Sequence, residues 1–361
     1  MKSKKMNVAF LLNKSVISGP NIVALSNAES LLSLGIKVTV IFLYGNKEIE
    51  NDYPFLKNIN CLYINASRKK ILSEVNDAIN KHQIDIVHSH GFFPDFYNAF
   101  SKAPLKFTTV HNIPHEDYSL RYGKLKGRVL TELHKLIMYK IKNVICISET
   151  VFSVLPAAFN KHVIYNPVRD AFFDLGQKKI KQANALPTFL YCGHFSSLKN
   201  PTKMIAALKE IDKDFRMICL GDGPLLNECK DMVSSDSRFD FIGRTNNVPF
   251  YFQQSDFLLH FSKTEGFCLS VAEALVSGME VIVNDIPIFH ELKKNLDISE
   301  MHIISNQNEI KSYIMNAIEN FASDSRTRNA AFLGKYDCLK ELSAGEKLIG
   351  CYSEAYAQVV L

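Results

Sequence analysis

The chain has 361 residues, of which 47% are hydrophobic and 22% are charged, a composition typical of soluble globular proteins of two domains. No stretch reaches the roughly 18 consecutive apolar residues that a membrane span needs, and a net charge of +5 does not indicate nucleic-acid binding. The eight cysteines show no C-x-x-C spacing, which argues against disulfides and structural zinc and favours a reducing compartment.

The first half of the chain alternates short β-branched runs with helical stretches. Residues 21–34 have apolar positions at helical spacing, and Gly35 then supplies a helix stop. The predicted strands of this half are 7–12, 37–43, 85–89, 106–110, 143–147 and 162–165.

A basic segment, 121–142, holds seven Lys or Arg residues and one Glu. One interpretation is a surface helix packed on its own domain, and the other is a basic face resting on anionic lipid. The apolar residues that suit one face of this helix are Val129, Leu130, Leu133, Leu136, Ile137 and Ile141.

The second half repeats the pattern, which predicts two doubly wound α/β domains with parallel sheets and helices on both faces. A linker with one helical turn is predicted over 166–187, and a helical C-terminal segment packs on the second domain or crosses back to the first. We therefore expect domains at 1–168 and 169–340 and a final helix at 341–361. The predicted strands are 188–192, 215–220, 239–242, 256–261, 280–284 and 302–304.

Polar residues follow the ends of the predicted strands, where ligands bind in open parallel sheets. Two such rims facing each other would form one cleft. In the first half, His88, His90 and His111 follow strands; "HSH" invites a metal interpretation, but no further ligands have suitable spacing. His111 is a candidate active-site group or an ordinary structural hydrogen-bonding residue.

The stretch "SKTEGFCLSVAEALVSG", 262–278, places two glutamates around a predicted helix start. Glu273 fits a capping box with Ser270, so it has a structural explanation as well as a functional one. Glu265 has no such local explanation. Residues 266–269 lead into a helix N-terminus, which attracts phosphate, while carboxylates accept hydrogen bonds from sugar hydroxyls. This combination suggests a nucleotide sugar.

Two other loops carry weaker signals. Lys199 precedes Asn200-Pro201, which predicts a helix N-cap followed by proline at the first position, so this lysine is either a solvated side chain or a phosphate ligand. The loop 17–21 contains one glycine and no G-x-G-x-x-G fingerprint, which argues against a dinucleotide-binding dehydrogenase.

These motifs together resemble the retaining GT-B glycosyltransferases, specifically glycosyltransferase family 4 of the group 1 type. The resemblance is strongest in "YCGHFSSLKNPTKMIAAL", "ICLGDGPLLNEC" and "FIGRTNNVPFYFQQSDFLLHFSKTEGFCLSVAEALVSGMEVIVND", which include a Glu-x7-Glu element. In the first half, "DIVHSHG", "TVHN", "VICIS" and "VIYNPV" match corresponding family positions. The resemblance implies a GT-B architecture with two Rossmann-like domains facing a central cleft.

The resemblance also implies site roles. His111, Lys199 and Glu265 would be catalytic, with Lys199 and the amides of 266–269 on the donor diphosphate and Glu265 on the sugar. Glu273 would contact the ribose. His194 stands where the family commonly has arginine. The implied donor-binding set is Gly19, His194, Lys199, Gly243, Arg244, Glu265, Gly266, Phe267, Cys268, Leu269 and Glu273.

The expected function is retaining transfer of a hexosyl group from a nucleoside diphosphate sugar, UDP-linked by family habit, to a hydroxyl. We expect no metal and no cofactor, and a lipid-linked or surface-polysaccharide glycan as acceptor. Expected localisation is cytoplasmic at the inner membrane face, with 121–142 contacting anionic lipid. Two alternatives stay open: a two-domain nucleotide-sugar epimerase, and a non-catalytic sugar-nucleotide-binding partner subunit, which His194 favours.

Overall fold

The computed structural model describes residues 6–176, 186–321 and 336–360. The chain forms two compact units, the first made of Met1–Pro167 with Cys338–Leu361 and the second of Val168–Asp337. The predicted linker 166–187 falls partly on 177–185, outside the described residues, and the predicted final helix 341–361 is described as far as residue 360.

The first unit contains a parallel seven-stranded sheet in the order β3-β2-β1-β4-β5-β6-β7. Its strands are β1 Asn7–Lys14, β2 Lys37–Tyr44, β3 Asn60–Tyr63, β4 Ile86–His90, β5 Leu105–Val110, β6 Asn143–Cys146 and β7 Asn160–Val163. Its helices are α1 Gly19–Ser33, α2 Ile49–Asp52, the 3₁₀ helix Pro54–Asn58, α3 Arg68–His82, α4 Phe92–Phe100, α5 Pro114–Tyr122, α6 Lys124–Ile141 and α7 Glu149–Val154.

The last helix of the chain, α15 Glu341–Val360, belongs to the first unit. It packs against α1, where the Ser30 hydroxyl donates to the Glu341 carbonyl at 2.8 Å. Gly345 allows this approach, since a Cβ there would lie 2.1 Å from Oγ of Ser30. Tyr352 of α15 is fully buried in the core under β1. The C-terminal helix therefore completes the core of the N-terminal sheet.

The second unit contains a parallel six-stranded sheet in the order β10-β9-β8-β11-β12-β13. Its strands are β8 Thr188–Cys192, β9 Arg216–Leu220, β10 Phe239–Gly243, β11 Phe257–His260, β12 Glu280–Asn284 and β13 Met301–Ile304. Its helices are α8 Asp170–Gly176, α9 Pro201–Lys209, α10 Leu226–Met232, α11 Val248–Gln254, α12 Leu269–Val276, α13 Pro287–Asn295 and α14 Gln307–Asn320.

The prediction of two doubly wound parallel α/β domains is confirmed. The prediction of six strands in the first half is wrong by one, because β3 was missed. This four-residue edge strand pairs with β2 alone and is only half-buried, so it lacks a strong apolar signal. Over 166–176, the expected single turn is the seven-residue α8, whose Phe172 is fully buried.

In each sheet the strand order reverses at one point, and that point positions the candidate residues. The reversal lies between β1 and β4 in the first unit and between β8 and β11 in the second. Ligands of open α/β sheets bind beyond the carboxyl ends of the strands at such switch points. The loops after β8 and β11 contain Lys199 and Glu265. None of the helices in the described ranges has both the length and the apolar composition needed to span a bilayer.

Candidate active site

Glu265 lies at the centre of a buried polar cluster in the loop after β11. Its Oε1 atom accepts hydrogen bonds from Nζ of Lys199 at 2.5 Å and from Oγ of Ser262 at 2.6 Å. Nε2 of His260 lies 2.7 Å from the same oxygen. The Glu265 side chain is 8% exposed. Three protein groups thus converge on one oxygen of this carboxylate and fix its orientation.

The charges of this cluster favour an ionised carboxylate. Burial alone would raise the pKa of Glu265, but Lys199 and His260 outweigh burial and hold that pKa well below its usual range. Burial also disfavours protonated His260, yet Cys268 and Glu265 raise the pKa of His260 to about 9. An anion flanked by two cations is therefore present at neutral pH, and it can accept hydrogen bonds from sugar hydroxyls.

Lys199 reaches Glu265 from the loop between β8 and α9. Two glycines of the β9–α10 loop allow its backbone to pack closely against this loop. A Cβ on Gly221 would lie 1.9 Å from the Gly193 carbonyl oxygen, and a Cβ on Gly223 would lie 2.5 Å from the Phe195 carbonyl oxygen. Asn200 is the N-cap of α9 and Pro201 follows it, as predicted, although Asn200 adopts a left-handed conformation without a side-chain cap bond. Lys199 thus stands directly before a helix N-terminus.

The predicted capping box of α12 is wrong. The N-cap lies two residues earlier, at Cys268 with φ 73°, and the helix begins at Leu269, so Ser270 lies inside the first turn rather than at the N-cap. Gly266, Phe267 and Cys268 are buried, and they form the turn that leads from Glu265 into the helix. The backbone amides at the N-terminus of α12 are the kind of group that binds phosphate.

Glu273 consequently loses its structural explanation. Its side chain is 9% exposed, and within the described part of the chain its ion-pair partner is Nη2 of Arg169, at 3.9 Å. Burial raises the pKa of Glu273 to about 7, with Arg169 acting in the opposite direction. A buried carboxylate with one distant cation is unusual unless a ligand completes it.

His194 and the pair Gly243–Arg244 are more exposed. The His194 side chain is 56% exposed, and its Nδ1 lies 3.3 Å from Asp222. Gly243 ends β10 at φ +80°, and its carbonyl accepts from the Gly221 amide at 2.8 Å. Arg244 is exposed and follows it. All three lie on the carboxyl-end side of their strands, as the rim prediction requires.

The first unit holds the remaining predicted residues, His111 and Gly19. Nε2 of His111 lies 2.8 Å from Nδ1 of His90, and burial lowers the pKa of His111 to about 3. Gly19 is exposed and begins α1, and a Cβ there would meet no atom within 4 Å. The ring of His88, by contrast, bonds Tyr352 at 2.6 Å and Thr109 at 2.7 Å, which gives it a structural role.

Sequence reasoning missed three residues of the Glu265 and Glu273 surroundings. His260 and Ser262 lie two positions apart at the end of β11, so both side chains turn to the face that Glu265 approaches, and the H-x-S-x-x-E spacing is the signal that could have revealed them. Arg169 had no such signal, because it is distant from Glu273 in the chain.

His260, Glu265 and Cys268 could also be considered as metal ligands, since their ligand atoms lie within 4.8 Å of one another. The Lys199 ammonium, however, already lies against the only carboxylate of this group, at 2.5 Å from Oε1. A further cation there would meet a cation. The donor set therefore fits a metal poorly, and the absence of a metal requirement stays a prediction.

The basic segment 121–142 is two helices rather than one, because α5 ends at Tyr122 and Gly123, at φ +84°, separates it from α6. The predicted single apolar face of α6 is wrong. Ile137 and Ile141 are buried against the domain, while Val129, Leu133 and Leu136 are exposed. The helix therefore packs on its own domain and also presents an uncovered apolar row.

Two family models match the chain. Residues 17–172 match the model described as Glycosyltransferase Family 4, and residues 174–332 match the one described as Glycosyl transferases group 1.

Individual proteins agree with these matches. The chain is 26% identical over 303 residues to the O-antigen biosynthesis glycosyltransferase WclY of Escherichia coli, covering 80% of this chain and 82% of that protein. It is 27% identical over 300 residues to the GDP-mannose:cellobiosyl-diphosphopolyprenol alpha-mannosyltransferase of Xanthomonas oryzae pv. oryzae, covering 76% of each. The structure of Anabaena Alr3699/HepE in complex with UDP and glucose superimposes with a TM-score of 0.78 at 15% identity, covering 96% of this chain and 99% of that one, which shows a shared fold.

Proposed function

This chain belongs to glycosyltransferase family 4 of the group 1 type, and on that premise we propose that it transfers a hexosyl group from a nucleoside diphosphate sugar to a hydroxyl acceptor with retention of configuration. The single observation that carries the proposal is the Glu265 cluster. A buried carboxylate, ionised by Lys199 and His260, stands immediately before the N-terminus of α12. A carboxylate that can accept hydrogen bonds from sugar hydroxyls thus lies next to backbone amides that can bind phosphate. These are the two parts of a nucleotide sugar that a donor site must hold.

In the proposed reaction, the bond between the anomeric carbon and the diphosphate oxygen breaks while the acceptor oxygen bonds the same face of that carbon. The acceptor proton passes to the leaving diphosphate. Because negative charge develops on the diphosphate, the protein's main task is to stabilise it. Lys199 and the amides of 266–269 perform that task, and no step needs a metal.

The remaining side chains orient the donor. Glu265 accepts hydrogen bonds from the sugar hydroxyls through Oε2, and Glu273 accepts from the ribose. Gly243 and Arg244 lie beside the base, and His194 lies at the diphosphate. In the first unit, His111 contacts the donor sugar and Gly19 approaches the phosphates.

The nucleotide and acceptor are proposed from the names of similar proteins. The HepE structure contains UDP, which favours a UDP-sugar, and the names of the two relatives concern O-antigen biosynthesis and a diphosphopolyprenol acceptor. We accordingly propose a lipid-linked, surface-polysaccharide acceptor. The exposed apolar and basic residues of α6 support peripheral contact with the cytoplasmic face of an anionic membrane.

A panel of nucleotide sugars tests the proposal. Each is added to purified protein, and thermal stabilisation and release of free nucleoside diphosphate are measured. At least one sugar should do both. Stabilisation without release or transfer would instead support a non-catalytic binding subunit, and conversion into another nucleotide sugar would support an epimerase.

A further inference from the structure

A cavity of about 610 Å³ opens on the first unit between α5, α6 and the end of α7. Its α6 wall comes from one helix face, because the lining positions are spaced three to four residues apart. Val154 and Leu155 form an apolar wall opposite. The α6 residues that line the cavity include Lys124, Arg128, Thr131 and Lys135.

The polar lining of this cavity carries uncompensated positive charge. Glu132 is its one acidic residue and pairs with Lys135 at 2.8 Å. No ion pair is recorded for Lys124 or Arg128 with any residue that the structure describes. Arginine presents a fork of donors that matches phosphate oxygens, and lysine adds a point charge. The cavity therefore suits an anion with several oxygens.

An exposed apolar row runs along α6 beside these cations. Leu125 is 78% exposed, Val129 60% and Leu136 63%, although side chains of this kind are normally covered. Near the other end of α6, Lys140 lies over the ring of Phe100, 5.2 Å from its centroid, so the row continues onto the exposed aromatic residues of α4. A charged cavity and an apolar row on one helix together match a molecule with a phosphate head and a hydrocarbon tail.

We propose that this cavity, the α5–α6 cavity, binds the phosphate groups of the lipid-linked acceptor, with the lipid chain lying along the exposed apolar row of α6. Lys124 and Arg128 are the phosphate-binding residues. The inference rests on the proposed lipid-linked acceptor and names its anchoring group. Phosphate binding in the cavity differs from the general attraction of a basic surface to an anionic bilayer. The affinity for a bilayer would depend on how many positive charges the surface carries, whereas the affinity for the phosphate groups depends on where those charges lie.

Farnesyl diphosphate is a suitable probe, and its affinity is measured by isothermal titration calorimetry on the full chain. The variant Lys124→Ala/Arg128→Ala should weaken binding at least tenfold. The matched control, Lys102→Ala/Lys126→Ala, removes the same charge from exposed positions of the first unit outside the cavity and should change binding less than twofold. Circular dichroism confirms that both variants are folded.

Three outcomes would overturn the proposal. The first is no binding of farnesyl diphosphate to the wild-type protein, and the second is an equal loss of affinity in both double variants. The third is that Lys124→Ala/Arg128→Ala weakens binding to phosphatidylglycerol vesicles but leaves the affinity for farnesyl diphosphate unchanged. The last would assign the cavity to bulk lipid. Donor hydrolysis by the wild-type protein is measured in parallel. Its absence would contradict the proposed function, whereas the binding experiment reports on the cavity alone.

Discussion

Nζ of Lys199 lies 2.5 Å from Oε1 of Glu265, and this ion pair joins two loops that are 66 residues apart in the chain. Because the lysine is held at the start of α9 before any donor arrives, little reorganisation is needed when a diphosphate binds. The glutamate is likewise fixed in its charged form. The pair is therefore the preorganised centre of the proposed donor site.

Removing the cation of this pair should impair the reaction more than the fold. We expect Lys199→Ala to lower the rate of donor hydrolysis by roughly 100-fold or more, the order found when a preorganised transition-state contact is lost. The measurement is steady-state release of nucleoside diphosphate. The control is Lys263→Ala, an exposed lysine two positions from Glu265, which should keep the wild-type rate. Wild-type turnover in Lys199→Ala would exclude this lysine from the role.

The raised pKa of Glu273 predicts a pH-dependent stability. Its folded-state pKa is about 7 and its ordinary value is 4.5, so the folded state binds the proton more tightly than the unfolded state. This group therefore costs stability progressively as the pH rises from about 4.5 to about 7, and the cost is constant above that range. Glu273→Gln removes the ionisation, so its Tm relative to wild type should rise between pH 5 and pH 8.

The matched control for that experiment is Glu228→Gln, at an exposed position of α10. Its Tm relative to wild type should not vary with pH in the same range. A Glu273→Gln difference that stays flat between pH 5 and pH 8 would mean that Glu273 is ionised in the folded protein at all of these values.

His90 should position His111. Burial lowers the pKa of His90 well below its usual value and that of His111 to about 3, so both rings are neutral and one must donate to the other. Nε2 of His90 is buried and has no hydrogen-bond partner among the described residues. Leaving a nitrogen lone pair unpaired there costs less free energy than leaving an N–H donor unpaired. His90 accordingly carries its hydrogen on Nδ1 and donates, which leaves His111 protonated on Nδ1.

Nitrogen-15 NMR of the histidine rings checks this assignment of tautomers. The ring nitrogen shifts of His111 should stay constant between pH 6 and pH 8. We expect His90→Ala to lower the donor hydrolysis rate about tenfold, less than the roughly 100-fold or more that a direct general acid or base contributes. His90→Asn keeps a donor near the Nδ1 position and should restore part of the rate. Equal rates in both variants would show that the hydrogen bond to His111 has no role in the reaction.

Gly221 should be intolerant of a side chain. Its φ is +125°, and a Cβ would lie 1.9 Å from the Gly193 carbonyl oxygen, so Gly221→Ala must displace the backbone that leads to Lys199. We expect a loss of about 2 kcal/mol or more in unfolding free energy, together with weaker donor binding. Gly350→Ala is the contrasting variant: it lies in α15 with open space around it and should gain about 0.5–1 kcal/mol. Equal effects on Tm would contradict the steric argument.

Much of the fold could be predicted from sequence because buried parallel strands are short apolar runs. β8 and β12 have the predicted bounds, since both are central and their apolar positions are continuous. The edge strand β3 was missed because its exposed side removes that signal. Periodicity also did not determine the packing of α15, because contact with α1 depends on the fit of Gly345 to Ser30.

The candidate site was predicted by type of residue rather than by arrangement. The switch-point rule placed Lys199 and Glu265 on the same rim, but their direct ion pair depends on a turn conformation that the sequence does not specify. The helix start at Leu269 was misplaced for a similar reason: Cys268 adopts a left-handed conformation that is uncommon outside glycine and asparagine.

The most direct test of the central claim, that Glu265 contacts the donor sugar, compares Glu265→Gln with wild type in two measurements on the same protein. Calorimetry gives the affinity for free UDP, and product analysis gives the rate of sugar release from the active nucleotide sugar. We predict UDP affinity within about threefold of wild type and a rate reduced by roughly 100-fold or more. Equal losses of affinity and rate would contradict the account and would make Glu265 a structural or nucleotide-binding residue.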